Sequence, residues 1–156
     1  MKRSLVINFD EGRPEEDRRC WWSVYLAGGV WETHVRKPYD RPLSAWEPSW
    51  SQLGGARTYM ESLPFGEMLP HNELVEEGQA FCLAKTGHSY GLYLPAGGNI
   101  TVNLAPDTTY DVAWWNPSNA KDGKYQNTHK IEGGRQTFKA PSEGDWALRI
   151  IRNSNP

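Results

Sequence analysis

Apolar and polar residues alternate in seven short runs between residues 80 and 151. Alternation predicts β-strands, because successive side chains of a strand leave on opposite faces. Turn-forming residues separate the runs, among them Pro106-Asp107 and Gly133-Gly134. Short strands with turns at this spacing predict an antiparallel β-sandwich. The runs are 80–84, 90–94, 100–104, 110–115, 128–131, 136–139 and 146–151.

The first 70 residues carry a different pattern. A compact apolar run at 5–9 predicts a buried strand, and Pro14 followed by three acidic residues marks the first turn of a helix. That helix would end before Gly28, and residues 30–35 would form a second strand. Strand, helix and strand in this order predict a βαβ unit with parallel strands. Apolar residues at helical spacing predict another helix over about 51–63, with close packing at Gly54-Gly55.

The fold class that follows is mainly β, with a small α/β segment over 1–70 and a β-sandwich of about seven strands over 71–156. A layer of two parallel strands leaves its edges and one face uncovered. We therefore expect the sandwich, a second copy of the chain or a separate domain to cover that layer.

Charge and hydropathy exclude two classes of partner. Seventeen basic and nineteen acidic residues give a net charge of −2, which offers no basic surface for nucleic acid. No apolar run is long enough to cross a bilayer, so no membrane partner is expected. The start of the chain lacks the apolar core of a signal peptide, which predicts a cytoplasmic location if Met1 is the true start.

Metal and cofactor sites have no support in the spacing of the residues. The four histidines share no ligand spacing, so we expect no metal. The paired glycines precede no helix and predict turns rather than phosphate-binding loops, so no cofactor is expected. Cys20 and Cys82 are interpreted most simply as buried thiols, and a single disulfide remains the alternative.

Eight tryptophans are many for 156 residues. Trp31, Trp46 and Trp50 gather around the second predicted strand and the loop after it, where indoles either stack on sugar rings or bury the loop. Trp114 and Trp115 are neighbours on a predicted strand, so one faces the core and the other faces outward. The outward indole forms a binding platform or covers the N-terminal segment.

Three stretches resemble a known family. They are Tyr110 to Pro117, Ile131 to Gly134, and Phe138 to Leu148. Together they are similar to the C-terminal β-sandwich known as the collagen-binding domain, which in that family follows an apiosidase-like TIM-barrel glycosidase domain. Residues 80–94, with Gly97-Gly98 after them, are also similar to the first strands of that sandwich.

The N-terminal half more distantly resembles the end of the preceding barrel. Residues 6–11 look like the seventh barrel strand, which ends in the catalytic nucleophile carboxylate, and residues 28–34 look like the eighth strand. Residues 51–63 would be the last helix. With Met1 as the start, the first six βα units would be missing, including the strand that carries the acid/base carboxylate in the family. The resemblance therefore implies a barrel fragment joined to a sandwich.

The resemblance makes Asp10, Glu11 and Glu32 the candidate catalytic carboxylates. Glycoside hydrolysis normally uses two carboxyl groups. Asp10 and Glu11 are sequence neighbours and point to opposite faces, so a pair would combine one of them with Glu32. The alternative is that these residues only form an acidic strand end beside a helix start. The candidate carbohydrate-binding residues are Trp31, His34, Trp46, Trp50 and Trp115.

Three functions are compatible with this sequence. In the first, the chain is a non-catalytic accessory module that binds a polysaccharide or oligosaccharide or stabilises a neighbouring catalytic domain. In the second, it is a small glycosidase that is active only as an assembled homo-oligomer. In the third, it is a structural remnant with no ligand.

Overall fold

The computed structural model describes residues 6–8, 14–32, 42–119 and 123–153. Its N-terminal part contains strand β1 (Val6–Asn8), helix α1 (Pro14–Leu26) and strand β2 (Val30–Glu32). The strands pair in parallel, which confirms the predicted βαβ unit. Gly28 ends α1 in the left-handed region at φ 79°, and the amide of Gly29 donates to the carbonyl of Val24. These are the features of a glycine-terminated helix end.

Helix α2 spans Glu47–Glu61 and begins earlier than the apolar spacing predicts. A 3₁₀ turn at Leu43–Trp46 leads into it, and Pro48 lies in its first turn, where the missing amide hydrogen costs nothing. The expected close packing is wrong for Gly54. A Cβ added there would meet nothing within 4 Å, because Gly54 is exposed.

The remaining described residues form an antiparallel sheet of seven strands, which confirms the mainly β fold. The strand order is β3-β5-β6-β9-β7-β4, and β8 pairs with β7. The strands are β3 (Leu69–Pro70), β4 (Val75–Glu77), β5 (Phe81–Lys85), β6 (Ser89–Leu94), β7 (Asn99–Trp115), β8 (Gln126–Lys139) and β9 (Trp146–Arg152).

Two of the predicted turns are instead irregularities inside long strands. Pro106-Asp107 lies within β7, and Gly133-Gly134 lies within β8. The register of the β7–β8 pairing shifts at this point, between Leu104 and Thr109 of β7. Here the turn-forming residues produce a bulge. Asp107 in β7 has φ 55°, and the bulge of β7 lies opposite the two glycines of β8. Four predicted runs therefore become two strands, and the short β3 and β4 complete the sheet.

Apolar side chains fill two cores on opposite faces of this sheet. The first core lies on one face of the sheet and includes Tyr90, Ile100, Tyr110, Trp114 and Leu148. The second core packs the other face against the helices and includes Trp22, Leu26, Tyr59, Leu63 and Trp115. Trp114 and Trp115 thus face opposite ways, as strand geometry predicts, and the outward Trp115 covers the helical layer.

Gly133→Ala should destabilise the protein by about 1–3 kcal/mol, because an added methyl overpacks the bulge. A Cβ at Gly133 would lie 2.0 Å from the carbonyl oxygen of Ala105. The matched variant Gly54→Ala should stabilise the protein by about 0.5–1 kcal/mol, because alanine is the better helix former and the space is open. Urea unfolding of both variants measures the contrast. Equal effects in the two variants would contradict the bulge geometry.

Both cysteines are free thiols, so the disulfide alternative is wrong. The buried-thiol interpretation is wrong for Cys20, which is exposed, and is confirmed for Cys82, which is buried in the first core. Burial raises the pKa of the Cys82 thiol from 9.0 to about 12. Among the described residues, no helix is long and apolar enough to cross a membrane. Within the same ranges, no group of three or more His, Cys, Asp or Glu side chains is placed to hold a metal ion.

Stability should fall as the pH rises from about 9 towards 12. The folded state holds the Cys82 proton more tightly than the unfolded chain, so unfolding releases a proton across this interval and alkali favours it. Below the unfolded pKa this contribution is fully present. Urea midpoints measured along this pH range test the prediction. The gap in free energy of unfolding between Cys82→Ala and the parent chain should narrow as the pH rises. A constant gap would contradict it.

Candidate functional site

The predicted catalytic carboxylates are only partly within the described residues. Asp10, Glu11 and His34 lie outside them, so the proposed carboxylate pair stays a prediction. Glu32 is the last residue of β2, and its side chain is exposed. The described residues therefore place one of the three carboxylates at a strand end, which is the end at which α/β barrels carry their active sites.

Four tryptophans were predicted to bind carbohydrate, and all four lie within the described residues. Their environments differ. Trp31 is half-buried and packs edge-on against Trp21, with ring centroids 6.2 Å apart. Trp46 is 6% exposed and Trp115 is 1% exposed, so neither offers a free face to a sugar ring in this structure. Trp50 is 38% exposed and is the one of the four with an open indole surface. Of these four, Trp50 is therefore the most exposed, and Trp115 packs inside the protein.

The buried interface between the helices and the sheet holds a continuous aromatic cluster. The Trp22 ring stacks on Tyr93 at 5.7 Å and contacts Tyr59 at 4.9 Å between centroids. Tyr59 in turn meets Trp115 edge-on at 6.1 Å, and Tyr125 packs against both. Such contacts add to the stability that comes from buried apolar area. The cluster joins α1, α2, β6 and β7 in one interface.

Polar contacts fix the register of this interface. The hydroxyl of Tyr59 donates to the backbone carbonyl of Leu148 at 2.7 Å. Burial raises the pKa of Tyr59 well above its ordinary value, so the phenol stays a neutral donor. At the edge of the cluster, the Arg149 guanidinium lies 3.7 Å from the centroid of the Tyr125 ring.

One ion pair is buried inside the same interface. Arg18 of α1 donates through Nε and Nη2 to the two carboxylate oxygens of Asp145, at 3.0 and 2.9 Å. The two side chains are 6% and 3% exposed. The Tyr93 hydroxyl also donates to Asp145 at 3.0 Å, and burial beside that carboxylate raises the pKa of Tyr93 far above its ordinary value. Two-point pairing of this kind is geometrically specific.

Neither Arg18 nor Asp145 has a sequence signature that predicts this pairing. The residues are 127 positions apart, and each belongs to an ordinary sequence context: Arg18 to a charged helix and Asp145 to a polar turn. A prediction of long-range pairing was needed to find them. Only the docking of α1 on the sheet brings the two charges together.

Two concave surfaces lie beside the interface. An apolar groove of about 620 Å³ is lined by side chains that include Tyr25, Trp50, Leu53, Met60 and Phe65. A polar cleft of about 600 Å³ lies between the first turn of α2 and the turn that follows β7. Both volumes fall in the range of ligand-binding pockets.

A family model matches residues 67–151, which is more than half of the chain. The family is described as "Putative collagen-binding domain of a collagenase". The chain belongs to this family. The collagen-binding-domain match covers β3 to β9 almost completely, and it excludes α1 and α2. The interface described above therefore joins the family domain to the helices that precede it.

Solved structures share the fold over nearly the whole chain. A glycoside hydrolase covers 92% of this chain with a TM-score of 0.70 and 18% identity. A family 5 glycoside hydrolase from Bacteroides vulgatus covers 88% with a TM-score of 0.67 and 19% identity. This chain spans only 38% and 36% of the lengths of those two structures. No curated protein matches the chain.

These likenesses extend beyond the collagen-binding domain. A match over about nine-tenths of the chain includes the α/β segment as well as the sheet, so the combination of the two parts recurs in glycoside hydrolase structures. At such low identity the likeness establishes the fold and says nothing of activity.

Proposed function

We propose that the collagen-binding domain of this chain is a non-catalytic accessory module that stabilises the α/β layer of an apiosidase-like glycoside hydrolase. The observation that carries the proposal is the Arg18–Asp145 pair. A carboxylate of the β domain reaches into a buried interface and pairs with Arg18, the residue that follows the first turn of α1. Unpaired, either charge would be costly there, so the pair ties the orientation of α1 to the sheet.

The position of this pair gives it a functional consequence. The first turn of α1 follows the end of β1, and α/β barrels carry their catalytic groups at the strand ends. Asp10 and Glu11 precede α1 directly in the sequence. A module that fixes the start of α1 would therefore help to position the residues that the family resemblance assigns to catalysis.

Hydrogen exchange of the full chain tests the support that the sheet gives to the helices. Trp115→Ala removes a sheet-side ring that packs on Tyr59, so amides of α1 and α2 should lose protection. Asn103→Ala, on an exposed position of the same strand, is the control and should leave the helices protected. Unchanged helix protection in Trp115→Ala would show that the two layers fold independently, and the proposal would fail.

A catalytic role makes a different prediction. If the chain itself cleaves glycosides, turnover of aryl glycosides should be measurable and should disappear in Glu32→Gln. The accessory role predicts that the parent chain and Glu32→Gln give the same background rate. A rate above background that is lost on this substitution would favour the glycosidase alternative.

We also propose that the apolar groove packs against a separate α/β domain. Trp50 in this groove is an exposed large hydrophobic residue, and Val30 of the parallel strand β2 is another. Parallel strands are normally covered on both faces. Light scattering over a range of concentrations should then find the isolated chain monomeric. A dimer that dissociates in Leu53→Glu would show that a second copy fills the groove instead.

A further inference from the structure

We propose that the polar cleft between α2 and the turn after β7 binds a neutral oligosaccharide segment. This inference rests on the proposed function, because it names the ligand that the accessory module would present to a glycosidase. The cleft has a volume of about 600 Å³. Its polar lining comes from both parts of the chain: Ser44, Glu47, Ser51, Gln52, Ser118 and Asn119.

The lining matches the chemistry of a neutral sugar. Hydroxyl and amide side chains both donate and accept hydrogen bonds, as sugar hydroxyls do. Among the described residues of the lining, Glu47 is the one that carries a charge, and none is basic, so these residues offer no counter-charge to a uronate or a sulfate. An anionic glycan would meet the Glu47 carboxylate in this part of the lining. The charge pattern therefore selects neutral sugars.

One wall of the cleft is held in place by its own hydrogen bonds. The Asn116 side-chain oxygen accepts from the amide and from the hydroxyl of Ser118, at 2.9 and 2.7 Å. The Asn119 amide donates to the Asn116 carbonyl at 3.2 Å. Because the Ser118 hydroxyl donates its hydrogen within the turn, its lone pairs remain free to accept a hydrogen bond from a ligand hydroxyl. The turn is thus preorganised as an acceptor.

The opposite wall contains an amide oxygen without a partner. Oε1 of Gln52 is buried and has no hydrogen-bond partner among the described residues. A buried unsatisfied acceptor costs roughly 1–3 kcal/mol. A rotation of the terminal amide of Gln52 towards the cleft would let a ligand hydroxyl satisfy it. Ligand binding would then relieve a cost that the free protein carries.

The cleft also lies at the functional end of the α/β segment. The Ser49 hydroxyl donates to the Asp17 carboxylate at 3.3 Å, so the first turns of α2 and α1 lie side by side. The first turn of α1 follows the end of β1, where α/β folds bind their ligands. A glycan in the cleft would therefore lie at the end of the α/β segment at which β1 and β2 finish.

Titration of the ¹⁵N-labelled full chain by NMR tests the site. The probes are cellohexaose, xylohexaose and a neutral arabinan hexamer, with hexagalacturonate as the anionic comparison. At least one neutral probe should shift the amides of residues 44–52 and 118–119 at millimolar concentration, and hexagalacturonate should shift them less. No cleft shifts with any neutral probe, or equal shifts with hexagalacturonate, would overturn the proposal.

Two variants separate the cleft from non-specific binding. Gln52→Met and Ser118→Ala should each weaken the binding of the active probe by about fivefold to tenfold, the effect of one lost hydrogen bond. Ser142→Ala, in an exposed turn elsewhere, should bind as the parent chain does. Gln52→Met should also keep or raise its thermal midpoint, because it removes a buried oxygen that has no partner in the protein. Unchanged affinity in both cleft variants would overturn the site and leave the hydrogen-exchange test of the accessory role unaffected.

Discussion

Asp145→Ala should lower the free energy of unfolding by about 3–5 kcal/mol, the usual cost of leaving one partner of a buried ion pair without the other. The substitution leaves the Arg18 guanidinium without its carboxylate partner in a site where the Arg18 side chain is 6% exposed. It also removes the acceptor of the Tyr93 hydroxyl. Urea unfolding followed by tryptophan fluorescence measures the loss. Few single changes in this chain should cost as much.

Two comparisons identify the cause of that loss. Glu143→Ala, two residues away on the exposed turn, should change stability by no more than about 0.5 kcal/mol. The double variant Arg18→Met/Asp145→Leu should recover much of the loss, because apolar side chains of similar volume often replace a buried ion pair without penalty. A loss below about 1 kcal/mol in Asp145→Ala would show that water reaches the Arg18 charge.

Trp22→Ala should cost about 3–5 kcal/mol, the range measured for truncating a buried aromatic side chain. Trp22 is fully buried between Tyr59 and Tyr93, so its removal leaves a cavity between α1 and the sheet. The rigid sheet below cannot collapse into that space. Thermal and urea unfolding should both show the loss.

Trp50→Ala is the matched control for Trp22→Ala. Trp50 is also a helical tryptophan, but it is 38% exposed, so its truncation should cost about 1 kcal/mol or less. Similar losses in the two variants would contradict the burial that distinguishes them. The comparison also tests the interface itself, because Trp22 belongs to the second core and Trp50 to the open groove.

The two large effects should not be additive. Tyr93 stacks on Trp22 and donates to Asp145, so both substitutions disturb the same ring. Residues that share a partner commonly show coupling energies of about 0.5–3 kcal/mol. A double-mutant cycle of Trp22→Ala and Asp145→Ala measures this coupling, and a value near zero would indicate that the ion pair and the aromatic cluster act separately.

Helices and strands were predicted well where their ends are set by residues close together in the sequence. Pro14 and Gly28 bracket α1 because their backbone preferences act within one turn of the helix. Gly133 misled the prediction, since a glycine that permits a turn also permits the close approach of another strand. Sequence alone cannot distinguish these uses, because the neighbour that requires the glycine is 28 residues away in the chain at Ala105.

The candidate site could be predicted only in part for the same reason. The alternation at Trp114 and Trp115 predicts that one of the two indoles faces outward, and the structure places it against the helices. The Arg18–Asp145 pair and the polar cleft have no local signature. The two charges are 127 positions apart, and the walls of the cleft come from α2 and from the turn after β7, so both features form only when helices and sheet pack together.

The sequence by itself determined the mainly β class, the βαβ order and the family resemblance, because alternation, helix termini and turn residues act between near neighbours. The tertiary structure alone decided which aromatic rings are buried, which charges pair and where the clefts lie. These properties depend on contacts between distant segments, and their energies exist only once the docked layers exclude water.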